Sequence, residues 1–398
     1  MKYIFYFIEI LLVAYFIYVS LYTFIFALAS LFYKDKVKGL SSERLKFAVF
    51  IPAYKEDQVI LSVAKKAISH NYPSDKFEVF IIADSLKKET VEFLKSIEEL
   101  NVVEVSFEQS TKVKSLNKAF EYIGNNHDFD CGVILDADNI MGDDFLHKVN
   151  ELHVEGKMAI QGQRAAKNEN NTISFLDGLS ESINNSIYGK GSTVLNFSSS
   201  LKGSGMSFDF EILKNELSKM NSIGGFDREL ELRLTRQKVK VYFADSAIVM
   251  DEKVDESEVF KNQRKRWISS QYFYLARYFW QGMLAFFTGK FDLFNSIILR
   301  NLQLPRLINL GLANMLFLAH FIGVLYFQLN FALGLIWGLI AIVLDFGVLL
   351  AIPRKYYNRR LLLSIIRLPL IFGQMVMLLF KLKGANKKFI HTPHRETK

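Results

Sequence analysis

Residues 131–145 read CGVILDADNIMGDDF, an apolar run that stops on two carboxylates, Asp136 and Asp138, one residue apart. Side chains at i and i+2 of an extended segment share a face, so both acids would project together from a strand end. Their repulsion is costly unless a cation sits between them. Asp is also common wherever strands stop, so the pair alone leaves two readings open, a cation site and a polar turn.

The elements that must carry this pair are legible around it. FAVFIPAY (47–54), FEVFIIAD (77–84), NVVEVSFE (101–108) and CGVILDAD (131–138) alternate with helical patterns at 56–70, 88–99 and 114–124. Apolar strands alternating with amphipathic helices predict an α/β fold with a mostly parallel, Rossmann-like sheet covered on both faces. Ligands of such sheets bind at the C-terminal strand ends. That rule selects Ala53-Tyr54-Lys55-Glu56, Asp84 and Asp136-Ala137-Asp138. No Walker-type or Gly-x-Gly-x-x-Gly loop is present, so a nucleotide is not held in either of those ways.

The chain of 398 residues is 50% hydrophobic and 14% aromatic, and the excess is concentrated at its ends. Residues 3–33 carry one charge, Glu9, and are too long for a signal-peptide core. About 20 apolar residues cross a bilayer, so this segment predicts a transmembrane helix. Two further spans are predicted at 307–328 and 331–352. Lys34, Lys36 and Lys38 follow the first, and Arg354, Lys355, Arg359 and Arg360 follow the third. By the positive-inside rule these basic clusters face the cytoplasm, which places the middle of the chain there and the protein in the inner (plasma) membrane. The single cysteine, Cys131, excludes an internal disulfide and fits that compartment. Residues 361–382 are long enough for a fourth span. Arg360, Arg367, Gln374 and Lys381, however, recur every seven residues as a polar stripe, which favours a helix lying in the interface. The net charge of +8 comes with no zinc or RNA-binding pattern, and its lysines cluster beside apolar segments. The partner it predicts is anionic lipid, not nucleic acid. The expected organisation is a transmembrane helix (1–34), a cytoplasmic domain (40–260), interfacial helices (261–305), a transmembrane hairpin (306–353), and an interfacial helix with a basic tail (354–398).

In order along the chain, IPAYKE, NYPSDKFEVFIIADSLKKET, KVKSLN, DAD, GSGMSF, GGFDRELELRL and QRKRW resemble the motif set of membrane-bound family 2 glycosyltransferases, such as cellulose, chitin and hyaluronan synthases. The resemblance covers residues 47–275. It implies a GT-A fold and transfer of a sugar, with inversion, from a UDP-sugar to a growing polysaccharide or glycan. It also implies a divalent metal as Lewis acid on the departing diphosphate, with Asp138 as its ligand and Asp136 on the sugar nucleotide. Oxygen ligands suit Mg²⁺ or Mn²⁺. By the same resemblance Pro52, Tyr54 and Glu56 line the uridine site and Asp84 accepts from the base imide. Lys112, with Lys114 beside it, meets the phosphates.

Inversion calls for a base on the acceptor hydroxyl. Alignment on the resemblance puts Asp227 there, with Glu229 as the alternative, while Phe226 replaces the acidic residue usual before the base. Gln263, Arg266 and Trp267 match a Gln-x-x-Arg-Trp motif, the Arg for the diphosphate and the Trp for stacking a sugar. Gly203–Phe208 resembles the segment lining the acceptor side, and His391, Thr392 and His394 a gating tail. Two other functions stay open: transfer of one sugar to a lipid acceptor, polyprenyl phosphate or glycolipid, and a non-catalytic nucleotide-sugar sensor.

Overall fold

The computed structural model describes residues 2–35, 41–125 and 127–379. Lys36, Lys38, Lys381 and the tail with His391, Thr392 and His394 lie outside them. Eight strands, β1 (Phe47–Tyr54), β2 (Phe77–Asp84), β3 (Leu100–Val105), β4 (Cys131–Ile134), β5 (Ile140–Met141), β6 (Ala159–Ala166), β7 (Met206–Asp209) and β8 (Val241–Asp251), form one sheet in the order β3-β2-β1-β4-β7-β6-β8-β5. The β3-β2-β1-β4 part and the β6-β8 pair are parallel, whereas β7 runs antiparallel to β4 and β6, and β5 to β8.

The near-continuous apolar strands are explained by burial on both faces. In β1, Phe47, Val49, Ile51 and Ala53 enter one core with Val79 and Ile81 of β2. Ala48 and Phe50 enter the opposite core with Phe80 and Ile82. Helices α2 (Ile60–Ile68), α3 (Lys88–Lys95), α4 (Lys112–Ile123), α5 (Phe145–Val154), α6 (Thr172–Asn184), α7 (Ser192–Val194), α8 (Phe210–Ser218) and α9 (Phe226–Arg236) accompany the sheet.

Around this domain run α1 (Lys2–Ser30), α10 (Ser257–Phe287), α11 (Phe291–Phe294), α12 (Arg306–Phe327), α13 (Phe331–Ala351) and α14 (Arg359–Leu379). Among the described residues, four helices are long and apolar enough to cross a membrane: Tyr6–Ser30 of α1, and α12, α13 and α14. Phe16 and Val19 of α1 pack on Trp337, Ile340 and Leu344 of α13. Farther along, Tyr22 and Phe26 join Phe175, Leu179 and Ile187 in a core shared with the α/β domain. The polar stripe of α14 meets protein: Arg360 donates to the Glu169 carbonyl at 3.1 Å and Arg367 to Thr172 Oγ1 at 3.0 Å.

One local expectation changes. β4 ends at Ile134, so Asp136 and Asp138 lie in the turn after the strand rather than on it. They are unequal there, Asp136 partly exposed and Asp138 only 4% exposed.

Candidate active site

The strand register sets the first edge of the site. Tyr54 and Asp84 are paired at the ends of β1 and β2, and the Lys55 N–H donates to the Asp84 carbonyl at 3.1 Å. Asp57 ties the two loops that follow, accepting from the Lys87 N–H at 2.8 Å and Thr90 Oγ1 at 2.7 Å. Asp84 is 1% exposed; its Oδ1 accepts from Ser85 Oγ at 2.9 Å, and its Oδ2 has no protein donor. A buried carboxylate oxygen left in this state is costly unless a ligand supplies the hydrogen bond.

The acidic turn is built from residues that sequence reasoning passed over. Ser204 Oγ accepts from the Asp136 N–H at 2.9 Å and donates to Asn139 Oδ1 at 2.6 Å. Asn139 Nδ2 in turn donates to Asp138 Oδ1 and Asp251 Oδ1, both at 3.0 Å. Asp251 lies between Arg164 at 2.7 Å and Lys253 at 2.5 Å. Burial pushes its pKa up, and these two cations outweigh that and hold it well below the usual carboxylate range. Glu181 pairs with Lys202 at 2.9 Å; burial works against its charge, yet Lys202, Lys253 and Arg164 bring its pKa down to about 2. The Arg164–Asp251, Asn139–Asp251 and Ser204–Asn139 contacts join positions far apart in the chain, so no local pattern announces them. Ser204, inside the GSGMSF segment, was the one member within reach of a motif reading.

Lys112 is the first residue of α4, whose N-cap Thr111 accepts from the Lys114 N–H at 3.2 Å. Its ammonium pairs with Asp136, donates to the Gly203 carbonyl at 2.6 Å and lies 5.0 Å from the Phe226 ring centroid. Lys114 points elsewhere, to the Gln109 carbonyl at 2.9 Å. Phe226, the departure from the acidic pattern, packs into the core while its ring faces the Lys112 ammonium.

Asp227 and Glu229 have different surroundings. Gly225, at φ +65°, turns the chain into α9, and a Cβ there would come 1.9 Å from Ser270 Oγ on α10. Only glycine allows that turn, and it directs Asp227 into the cavity. A methyl on Gly203 would lie 3.7 Å from Asp227 Oδ2, so the backbone of the GSG segment borders the carboxylate. Burial raises the pKa of Asp227, against the lowering effect of Arg228 and Lys112. Glu229 is 2% exposed and accepts from Ser222 at 2.7 Å and Tyr274 at 3.3 Å, with Arg233 at 3.0 Å. It is absent from the cavity wall.

Helix α10 supplies the opposite wall with Gln263, Arg264, Arg266 and Trp267. Gln263 Oε1 is buried without a protein donor. Burial lowers the Arg266 pKa, while Asp136 and Asp227 raise it. The Arg264 guanidinium lies 4.6 Å from the Trp267 ring centroid, covering a face that the sequence assigned to a sugar.

Pro52, Tyr54, Glu56, Asp84, Lys112, Asp136, Asp138, Asp227, Gln263, Arg266 and Trp267 line one cavity of about 1330 Å³, whereas Glu229 and Lys114 are not among its lining residues. Among the described residues no group of three or more His, Cys, Asp or Glu is gathered for a metal ion. The oxygen donors offered here are those of the acidic turn, a set that fits a cation sharing its shell with phosphate oxygens and water.

Residues 44–270 match glycosyltransferase-like family 2. Among solved structures, a mannosyltransferase from Pyrobaculum calidifontis in complex with GDP-Man and Mn²⁺ aligns with a TM-score of 0.58 at 16% identity, over 94% of this chain and 97% of that one. TarS 1–349 of S. aureus in complex with UDP-GlcNAc aligns with a TM-score of 0.37 at 13% identity, over 54% of this chain and 60% of that one. No curated protein sequence matches the chain.

Proposed function

The chain belongs to glycosyltransferase-like family 2 and has a GT-A-like fold, and we propose that it is an inverting transferase using a UDP-sugar at the cytoplasmic face of the inner membrane. The observation that carries this reading is the single cavity joining Tyr54 and Asp84, the Asp136/Asp138 turn, Lys112 and Asp227. The uracil stacks on Tyr54, and its imide N–H meets the free Oδ2 of Asp84, an acceptor matched to one base N–H. Glu56 takes the ribose, and Lys112 and Arg266 take the diphosphate. In this state Lys112 neutralises Asp136; an arriving diphosphate competes for the same ammonium.

A divalent ion held by Asp138, with Asp136 beside it, would supply Lewis-acid stabilisation to the leaving diphosphate. The proton chemistry falls to Asp227 rather than Glu229, whose oxygens are engaged away from the cavity. Asp227 takes the proton of the acceptor hydroxyl as that oxygen bonds to the anomeric carbon. The bond from carbon to the β-phosphate oxygen breaks, and its electron pair leaves with UDP. The raised pKa of Asp227 strengthens it as a base.

The test is nucleotide release by the detergent-purified chain across UDP-sugars and GDP-mannose, with Mn²⁺ or Mg²⁺ and then with chelator. Chelator-sensitive release from one UDP-sugar supports the reading. Release from GDP-mannose alone overturns the uridine assignment, and nucleotide binding without release from any donor supports a sensor.

A further inference from the structure

Among the described residues, α1 supplies none of the cavity lining, yet three of its tyrosines are fastened to the cavity wall. Tyr15, Tyr18 and Tyr22 stand at i, i+3 and i+7 of the helix and share one face. Tyr22 Oη donates to Asn295 Oδ1 at 3.0 Å, and Tyr18 Oη to the Leu299 carbonyl. Tyr15 Oη donates to Asn309 Oδ1 at 3.0 Å and accepts from the Leu304 N–H at 2.9 Å. All of these partners belong to one segment, 295–309, which opens with the π-helical turn Asn295–Leu299. The far side of that segment holds α9: Arg300 pairs with Glu231 at 2.7 Å, and Asn301 Oδ1 accepts from Arg228. Resting on the transferase reading, we propose that Tyr18 and Tyr22 are positioning residues, which act through the 295–301 turn to fix the first turns of α9 and so the place of the Asp227 carboxylate in the cavity.

Helix packing alone does not call for this arrangement. Phenylalanine fills the same space without a hydroxyl to desolvate, and α1 already packs on α13 through Phe16 and Val19 against Trp337 and Leu344. A buried hydroxyl is costly unless it finds a partner, and these three find theirs in the one segment. A π-helical turn departs from the regular helical ladder, and side chains satisfy the carbonyls of this one. Leu299 takes Tyr18, and Ser296 and Ile297 take Asn301 Nδ2 at 2.7 and 2.9 Å. Asn301, fully buried, therefore closes the turn with its amide nitrogen and holds Arg228 with its amide oxygen. Arg300 also donates to the Ser198 carbonyl at 2.6 Å, while Glu231 Oε2 accepts from the Leu201 N–H at 3.1 Å. Leu201 leads into Gly203, whose backbone borders Asp227. Asp227 and Glu231 lie one helical turn apart on the same face. The segment thus fastens α9 twice, at the residue after Asp227 and one turn beyond it.

Replacing Arg300 would strand the Glu231 charge in the interior, so the test removes hydroxyls instead. The full chain in phosphatidylcholine nanodiscs is followed by hydrogen–deuterium exchange and by nucleotide release from a UDP-sugar. The double variant Tyr18→Phe/Tyr22→Phe keeps both rings. Its amides at 227–232 are expected to exchange about tenfold faster, and kcat to fall about tenfold or more with donor KM and UDP affinity unchanged. Tyr22→Phe alone, the milder change, should give a smaller effect of the same kind. Ser20→Ala is the control: its hydroxyl bonds to the Phe16 and Ile340 carbonyls, at 2.6 and 3.2 Å on the α13 side, and its loss should leave both readouts unmoved. Unchanged α9 exchange in the double variant, faster exchange at unchanged kcat, or an equal effect of Ser20→Ala overturns the proposal. Exchange does not depend on turnover, which separates the two levels. If α9 loosens as expected while the wild type releases nucleotide from no donor, the fastening of α9 stands and the transferase reading falls.

Discussion

Asp227→Asn and Glu229→Gln should give opposite phenotypes, because the two acids stand two residues apart on α9 in unlike settings. Removing a general base costs about 10²–10⁴ in turnover, or ~3–5 kcal/mol of transition-state stabilisation. Asp227→Asn should show that loss with its fold intact. The sign of the linkage agrees: an acid whose pKa is raised in the folded state favours folding while protonated and loses that contribution as pH rises through the raised pKa. A neutral amide at neutral pH therefore removes an unfavourable buried charge. Glu229→Gln does the reverse. Its carboxylate accepts from Ser222 at 2.7 Å and Tyr274 at 3.3 Å and pairs with Arg233 at 3.0 Å. Hydrogen bonds to a charged group contribute about 1.5–3 kcal/mol, and Arg233, 22% exposed on its side chain, recovers part of that from water. A stability loss of about 2 kcal/mol with little change in turnover per folded molecule is expected. Nucleotide release, normalised to UDP binding, and thermal unfolding in detergent read the two effects separately. Full turnover in Asp227→Asn, or a hundredfold loss in Glu229→Gln at unchanged stability, refutes the assignment.

Other outcomes follow from the same geometry. Gly225→Ala should destabilise by about 2 kcal/mol or more, combining left-handed backbone strain with the 1.9 Å approach to Ser270 Oγ; thermal unfolding should show Ser270→Ala restoring part of it. Arg228→Gln removes the leading influence that lowers the Asp227 pKa, so the acid limb of the pH–rate profile should move to higher pH; an unmoved limb would mean another group titrates. Burial holds His153 neutral, with its pKa lowered from 6.5 to about 4, so it adds stability above pH 6.5 that is lost as pH falls toward 4. The loss is ~3 kcal/mol, and unfolding of His153→Gln across that range should be flatter. Asp138→Ala should abolish metal-dependent nucleotide release while leaving metal-free UDP binding measurable by calorimetry.

Much of this fold could be read from the chain because apolar strands buried on both faces leave a dense local signal. FAVFIPAY and FEVFIIAD coincide with β1 and β2, and the rule about strand ends then led to Tyr54 and Asp84. β4 was harder. Its partner β7 covers only Cys131–Ile134, so the ladder ends two residues before Asp136 although the apolar pattern continues through Leu135. The Asn139–Asp251–Arg164 cluster behind the acidic turn was invisible because each bond in it spans dozens of residues. Along α14, a heptad polar stripe reads the same whether it meets headgroups or protein. In the fold Arg360 and Arg367 contact the Glu169 and Thr172 region, and sequence period alone carries no information about the partner.

The most direct test of the donor site is a structure of the chain with UDP and Mn²⁺. The account predicts uracil on the Tyr54 ring, its imide N–H on Asp84 Oδ2, the diphosphate at Lys112, and the metal on Asp138. A nucleotide bound away from the β1 and β2 strand ends, or a metal that does not touch the acidic turn, would contradict it.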